Sequence, residues 1–162
     1  SYHRLTHLPE PEYKTVSVPA LFTKLERLLQ AEPRSERVVY CDGKADRSTG
    51  KELQVYGDAN LLTLALINLI RNALQAVEGQ EDGIVRVDTC AGATGHLLII
   101  ITDNGPGIPP ERLSAIFTPF FSTKSGGSGI GLPISQRIMQ LHGGQLSVSS
   151  IPNVRTEFRM EF

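Results

Sequence analysis

No dense run of lysine and arginine occurs anywhere in the chain, and the formal net charge is only −1. Neither a nucleic acid nor an anionic membrane surface is therefore expected as a partner, because both are held first by concentrated positive charge. Cysteine is scarce as well. Cys41 and Cys90 are isolated and lack the spacing of metal ligands, which argues against a disulfide scaffold and for a reduced, cytosolic setting in which both are packing residues. Long apolar runs are also missing: residues 64–70, interrupted by Asn68, and 97–101 are the longest, far short of the roughly 20 residues that span a bilayer. No basic stretch followed by an apolar one opens the chain, so no secretory signal is expected, and the abrupt start at Ser1-Tyr2-His3 reads as a piece of something longer. There is no internal repeat.

What is present is enough for one domain. A chain of 162 residues with 40% hydrophobic content can bury a sizeable core. Residues 1–16, with Leu8-Pro9-Glu10-Pro11, have the proline punctuation of a connector. From about Ser17 a first helix is expected, with Pro19 in its first turn and Leu21, Phe22, Leu25, Leu28 and Leu29 as its apolar stripe. Two short strands, 38–41 and 53–56, follow on either side of the turn signal Asp42-Gly43-Lys44. The strongest periodic segment is a helix over 58–78, capped by Asp58, with Leu62, Leu66, Leu69, Ala73, Ala76 and Val77 on one side. Residues 84–89 alternate and read as a half-buried strand, whereas 97–101 are continuously apolar and read as a fully buried one. A third helix begins near 131–133, carries Ile134, Ile138 and Leu141, and stops at His142-Gly143-Gly144. Residues 146–149 and 155–162 would close the domain as a hairpin turning at Ile151-Pro152-Asn153. Three helices interspersed with about six strands imply an α/β sandwich.

Several positions suit chemistry better than packing. In the long central helix Asn68 and Asn72 lie one above the other, since about 3.6 residues complete a turn, and Arg71, Gln75 and Glu78 share the same broad polar arc. Asparagine is a poor helix former, so two of them within the most apolar stretch invite a reason. Asp103-Asn104-Gly105-Pro106-Gly107 follows the apolar strand directly; its glycines permit close approach of a ligand, and the carboxylate of Asp103 can accept a hydrogen bond from an exocyclic amine such as that of adenine. The bland alternative is an aspartate capping its own turn.

Ser122-Thr123-Lys124-Ser125-Gly126-Gly127-Ser128-Gly129-Ile130-Gly131 ends where the third helix starts, so free backbone N–H groups, the helix dipole and the Lys124 ammonium can together meet a polyphosphate. It is neither the G-x-x-x-x-G-K-[ST] loop nor the G-x-G-x-x-G fingerprint, which disfavours both common nucleotide folds. Phe117, Phe120 and Phe121 mark a loop pinned to the core, or the aromatic base of a lid that moves with ligand.

The asparagine pair, DNGPGIP and FTPFFSTKSGGSGIGLPIS, in this order and spacing, resemble the catalytic ATP-binding domain of bacterial sensor histidine kinases, within it most nearly the nitrogen-sensor type. The likeness extends from about Val16 to Phe162, and the wider group is the GHKL ATPases of gyrase, heat-shock chaperones and mismatch repair. It implies a two-layer sandwich of a mixed β-sheet and three main helices, the Bergerat-type ATP-binding fold, over 17–162, with 1–16 as a linker or the tail of a preceding dimerisation helix. The cofactors implied are ATP and Mg²⁺, with Asn72 as the metal ligand through its amide oxygen; a hard cation that keeps its waters and bridges phosphates wants such a donor.

By the same resemblance, Asp103 is the adenine-binding aspartate with Gly105 and Gly107 as its glycines, and Phe117, Phe120 and Phe121 form the F box. Gly127, Gly129 and Gly131 border the phosphates, and Thr156 is the threonine near adenine. Gln75, Ile108, Thr123, Ser128, Ile130 and Leu132 complete the implied nucleotide-binding set, and Asn68 and Lys124 are the implied catalytic residues. Where gyrase-like ATPases carry a glutamate that activates water, this chain has Asn68, which accepts no proton usefully at neutral pH, so transfer to a protein is favoured over hydrolysis.

The implied acceptor is a histidine on a separate dimerisation domain, with a response regulator downstream. No acceptor-type histidine box is present, and all four histidines read as structural or incidental, His142 as a helix C-terminal residue complementing the dipole. Two positions depart from the family pattern. Gln75 stands where many kinases have a cation, and Arg155 replaces a glycine before Thr156, which raises a question about the local geometry there. An anti-sigma-type serine kinase and a catalytically silent, ATP-gated interaction module are the alternative readings.

Overall fold

The computed structural model describes residues 7–41, 50–91, 96–118 and 131–162. Strands β2 (Val38–Tyr40), β4 (Val85–Ala91), β5 (Leu97–Asp103), β7 (Arg155–Glu161) and β6 (Gln145–Ile151) form one sheet in that spatial order. The β2–β4 pair is parallel and the others antiparallel, so the sheet is mixed as expected. Helices α1 (Val18–Leu29), α2 (Ala59–Ala76) and α4 (Gly131–Leu141) make the second layer, with a short α3 (Pro110–Leu113) after β5. None of the described helices is long and apolar enough to cross a membrane.

The layers follow from side-chain periodicity. Val85 and Val87, Ile99 and Ile101, Phe158 and Met160, and Leu146 are the buried positions of their alternating strands, and all belong to one core cluster with the helices. Strand β5 is not buried on both faces, as its continuous apolar run suggested: Leu98 and Ile100 are only half-buried. Helices cover one face of this largely antiparallel sheet, so its alternate positions reach the other, more open side.

Helix α2 is the centre of the helical layer. Asp58 caps it, its Oδ1 accepting the N–H groups of Asn60 (2.9 Å) and Leu61 (3.0 Å). Buried residues occur on more of its circumference than one stripe, including Leu61, Thr63, Ala65, Ile70 and Leu74, because α1 and α4 flank it while the sheet lies beneath. Lys24 Nζ reaches Asn60 Oδ1 on the α1 side, and Ser135 Oγ donates to the Ala65 carbonyl on the α4 side. Helix α1 starts at the Ser17 cap with proline in its first turn as read, but Leu28 is 48% exposed and lies outside the core.

One further expectation changes. Residues 14–16 are not plain connector: Lys14–Ser17 is strand β1, paired antiparallel with β3 (Gln54–Gly57) in a second, two-stranded sheet. The strands on either side of the turn signal at 42–44 are not partners of each other: β2 pairs with β4 and β3 with β1. That turn segment lies outside the described residues.

The early chain is held by one polar node. Asp58 Oδ2 accepts the Glu12 N–H at 2.8 Å, and the Asp58 N–H donates to His142 Nε2 at 3.0 Å. Because an amide can only donate, His142 is the neutral tautomer with its proton on Nδ1, which donates to the Ile138 carbonyl at 2.7 Å. His142 is therefore structural, as read, but it closes α4 as a neutral donor and not as a charge set against the dipole. Tyr13 donates its hydroxyl to the Leu141 carbonyl, stacks on Tyr56 and meets the His142 ring edge-on.

Burial by itself would raise the Asp58 pKa, but the N–H groups of Glu12, Leu61 and Asn60 outweigh it and hold the carboxyl below its usual value. The carboxylate thus stabilises the fold above the unfolded-state value near pH 4, and this stabilisation is lost as pH falls through the lower folded value. Replacing it, Asp58→Ala, is expected to cost about 1–2 kcal/mol at neutral pH through loss of the cap. In thermal melts the gap between parent and variant should narrow as pH is lowered below about 4; a gap that widens on acidification contradicts this account.

Candidate functional site

Strand register brings the polar positions together. On the face of the sheet that looks at the helices, one cross-strand row consists of Ser150, Thr156, Asp103 and Val85. The next row, Val148, Phe158, Ile101 and Val87, is entirely apolar. Thr156 and Asp103 are each only 3% exposed, so two polar side chains sit at the end of an otherwise apolar inner face. Burial of that kind is unfavourable unless partners or a ligand meet it.

The turn after β5 is fixed from three sides. Asp103 Oδ1 accepts the Gly105 N–H at 2.9 Å, the self-capping contact the sequence admitted. The Asn104 side chain points to the other side of the turn: its Oδ1 accepts the Ile84 N–H at 2.7 Å and its Nδ2 donates to the Asp82 carbonyl, while Gln80 Nε2 donates to the Asn104 carbonyl. Gly105 lies against the end of α2, where a Cβ would come within 2.7 Å of the Ala76 carbonyl oxygen. Gly107 has φ +83° and lies against the β6–β7 turn, where a Cβ would meet Pro152 Cα and Ser150 Oγ at 3.0 Å. The Ile108 N–H donates to Ser150 Oγ at 2.8 Å, and the Asn153 N–H donates to the Pro106 carbonyl at 2.8 Å.

Helix α2 supplies the opposite wall. Asn68, Asn72 and Ala76 follow at intervals of four and form one stripe about 12 Å long. Its far end is at Gly105, and its near end is at the start of α4, where Asn68 Nδ2 approaches the Gly131 carbonyl at 3.5 Å. A Cβ at Gly131 would touch nothing closer than Asn68, at 3.8 Å. The broad polar arc read from the sequence is divided between two neighbours: Arg71 pairs with Glu32 at 2.6 Å and Glu78 with Arg34 at 3.7 Å, both toward the α1–β2 connection. Asn68 stands apart from them, turned to α4. Gln75 is exposed.

Of the expected site residues, Asn68, Asn72, Gln75, Asp103, Gly105, Gly107, Ile108, Phe117, Gly131, Leu132 and Thr156 lie in described segments. Phe117 is set edge-on to Phe158, ring centroids 6.5 Å apart, and Phe158 stands in the row next to the polar one. Phe120, Phe121, Thr123, Lys124, Gly127, Ser128, Gly129 and Ile130 lie outside the described residues. Arg155 leaves the geometry at Thr156 intact, because its side chain is exposed and Thr156 keeps its place opposite Asp103. Sequence reasoning missed Ser150 and the clamp made by Asn104. Nothing local marks Ser150, whose partners are brought to it by strand pairing and by the turn after β5.

A family model described as histidine kinase-, DNA gyrase B- and HSP90-like ATPase matches residues 57–162. The chain belongs to this family of ATPase domains. The match begins just before α2 and takes in both asparagines, Asp103 and Thr156. The sensor histidine kinase ZraS of Salmonella typhimurium is 42% identical over 98 residues, 60% of this chain and 21% of that protein. The sensory histidine kinase/phosphatase NtrB of Vibrio alginolyticus is 34% identical over 163 aligned positions, covering 94% of this chain and 45% of NtrB. The chain thus spans between a fifth and just under half of these relatives. Among solved structures, the nucleotide-free catalytic domain of the histidine kinase ThkA superposes with a TM-score of 0.73 at 28% identity, covering 93% of this chain and 95% of that one.

Among the described glycines of the site, Gly105 has the least room, against the end of α2. Gly105→Ala is expected to destabilise by about 1–3 kcal/mol, since either the turn or the helix end must shift. Gly131→Ala should leave the melting temperature unchanged or raised, because at the start of the helix its Cβ would make only an ordinary contact with Asn68 at 3.8 Å. Equal melting temperatures for the Gly105 variant and the parent would show that the turn yields freely.

Proposed function

We propose that this chain is the catalytic domain of a sensor histidine kinase, holding Mg·ATP between the polar end of the sheet and the asparagine stripe of α2. The observation that carries the reading is the placement of Asp103 and Thr156 side by side at the end of the stripe that leads past Asn72 and Asn68 to the start of α4. Asp103 would accept a hydrogen bond from a purine amine, and α2 together with the N-terminus of α4, whose dipole suits an anion, would hold the triphosphate. In this reading Gly107, Ile108, Phe117 and Leu132 border the nucleotide, and Gln75 offers an uncharged contact.

The donor set fits magnesium. The Asn72 amide oxygen is a hard, neutral ligand that adds to phosphate oxygens and water without repelling the triphosphate. Among the described residues no group of three or more His, Cys, Asp or Glu is placed to hold a metal, so the phosphates themselves would contribute most of the charge around the ion. When bound, the ion would neutralise charge developing on the transferred phosphoryl group.

The reaction proposed breaks the bond between the γ-phosphorus and the bridging oxygen, leaves ADP, and forms a phosphorus–nitrogen bond to a histidine on a dimerisation domain supplied from outside residues 17–162. Asn68, an amide where a water-activating ATPase needs a base, favours that outcome over hydrolysis. Lys124 would steady the terminal phosphate. The phosphoryl group then passes to a response regulator. Residues 1–16 serve as the linker to the preceding domain, their last three forming part of β1, and reliance on ATP and a response regulator puts the domain in the cytosol. No observation favours a serine acceptor or a silent module.

Calorimetric titration with the non-hydrolysable analogue AMPPNP, with and without Mg²⁺, tests the site. Asp103→Asn should abolish the preference for adenine over guanine, and Asn72→Ala should remove most of the dependence on Mg²⁺. Mixed with a separately expressed dimerisation domain and labelled ATP, the parent should yield acid-labile phosphohistidine. Labelled phosphate appearing only as free phosphate would overturn the transfer reading.

A further inference from the structure

We propose that Ser150 is a positioning residue for base recognition, acting through Thr156; the inference rests on the adenine site proposed above. Ser150 Oγ has one proton and two lone pairs. One lone pair accepts the Ile108 N–H at 2.8 Å, which ties the turn after β5 to the β6–β7 hairpin. The remaining contacts are Thr156 Oγ1 at 2.9 Å and the Arg155 carbonyl at 3.2 Å. The single proton serves one of these two acceptors at a time.

The choice decides what Thr156 offers the cleft. When Ser150 donates to the nearer partner, Thr156 Oγ1, the Thr156 proton is released toward a ligand. A hydroxyl donor then stands directly across the strand pair from the Asp103 carboxylate, which is an acceptor. Adenine matches that pair, with an amine that donates beside a ring nitrogen that accepts. Guanine presents the reverse, an oxygen acceptor beside an N–H donor, and would face the carboxylate with its oxygen. When Ser150 donates instead to Arg155, Thr156 spends its proton on Ser150 and offers lone pairs only. Ser150 thus sets the donor that complements Asp103, and selectivity for adenine resides in a row of three side chains.

Asp103 is not interchangeable in this scheme, because a carboxylate has no proton to turn. Ser150 and Thr156 can reorient and Asp103 cannot, so the aspartate fixes the polarity and the two hydroxyls adjust to it. The Ile108 bond adds a second role: it fixes the position of Ser150 Oγ, so that the distance to Thr156 does not drift with the hairpin tip.

The test is a double-mutant cycle on the intact chain, read as calorimetric affinity for AMPPNP and GMPPNP. Ser150→Ala is expected to weaken AMPPNP about five- to tenfold, the worth of one well-formed hydrogen bond, and to narrow the adenine-to-guanine ratio. In a Thr156→Val background the same change should cost less than about twofold, because the group through which it acts is gone. Ser150→Thr, which keeps a hydroxyl, should stay within about threefold of the parent. An equal loss in both backgrounds, no loss in the parent, or a Ser150→Thr variant as weak as Ser150→Ala overturns the proposal. Asp103→Asn run alongside separates the two levels. Parent-like binding in Asp103→Asn sinks the adenine site itself, whereas a large loss there with a silent Ser150→Ala sinks only the role of Ser150.

Discussion

The approach of the turn after β5 to the end of α2 is the constraint on which the rest of the site depends. Gly105 has no side chain, so the backbone of that turn can lie against the Ala76 carbonyl where a Cβ would be within 2.7 Å of it. This contact sets the height of Asp103 relative to the asparagine stripe. Asn104 secures the same turn from the other side through the loop that precedes β4, and Ser150 secures it from the hairpin. Three elements distant in sequence therefore converge on five consecutive residues. A buried carboxylate without such fixation would be free to relax toward water, and its specificity would fall with it.

Helix α4 links this site to the opposite end of the molecule. Its first residue is within reach of Asn68, and its last turn is closed by His142, which also receives the N–H of the α2 cap residue Asp58. Asp58 in turn holds the Glu12 N–H, so the segment before β1 is attached to both helices at once. The two helices are thus pinned at both ends, by neutral hydrogen bonds at one and by the asparagine contact at the other. Between them Ser135 donates to Ala65, which satisfies a hydroxyl in a fully buried position.

Much of the architecture was legible because its signals are local. The Asp58 cap, the start of α1 at Ser17, the periodicity of α2 and α4 and the hairpin around 151–153 need only neighbours along the chain, and each lies where the pattern placed it, although Ala76 and Leu141 are only half-buried. Strand β1 was not legible: a four-residue strand after two prolines has no periodicity of its own and exists because Gln54–Gly57 pairs with it. The half-burial of β5 and the exposure of Leu28 were hidden for a related reason. Composition says that a residue is apolar, while the number of layers packed over it decides whether it is covered.

For the site, the sequence determined which chemical groups are available: neutral amides one turn apart, an aspartate followed by glycines, and a threonine near the end of the chain. Those identities rest on spacing within single elements, which helix geometry and turn chemistry make predictable. The tertiary structure alone decided that Ser150, Thr156 and Asp103 form one row, and that Arg71 and Glu78 face away from it toward Glu32 and Arg34. Strand register joins residues far apart in the chain, and a slip of one position would send every side chain to the opposite face. No short stretch of sequence contains that information, because it arises only when the sheet has formed and the helices have closed over it.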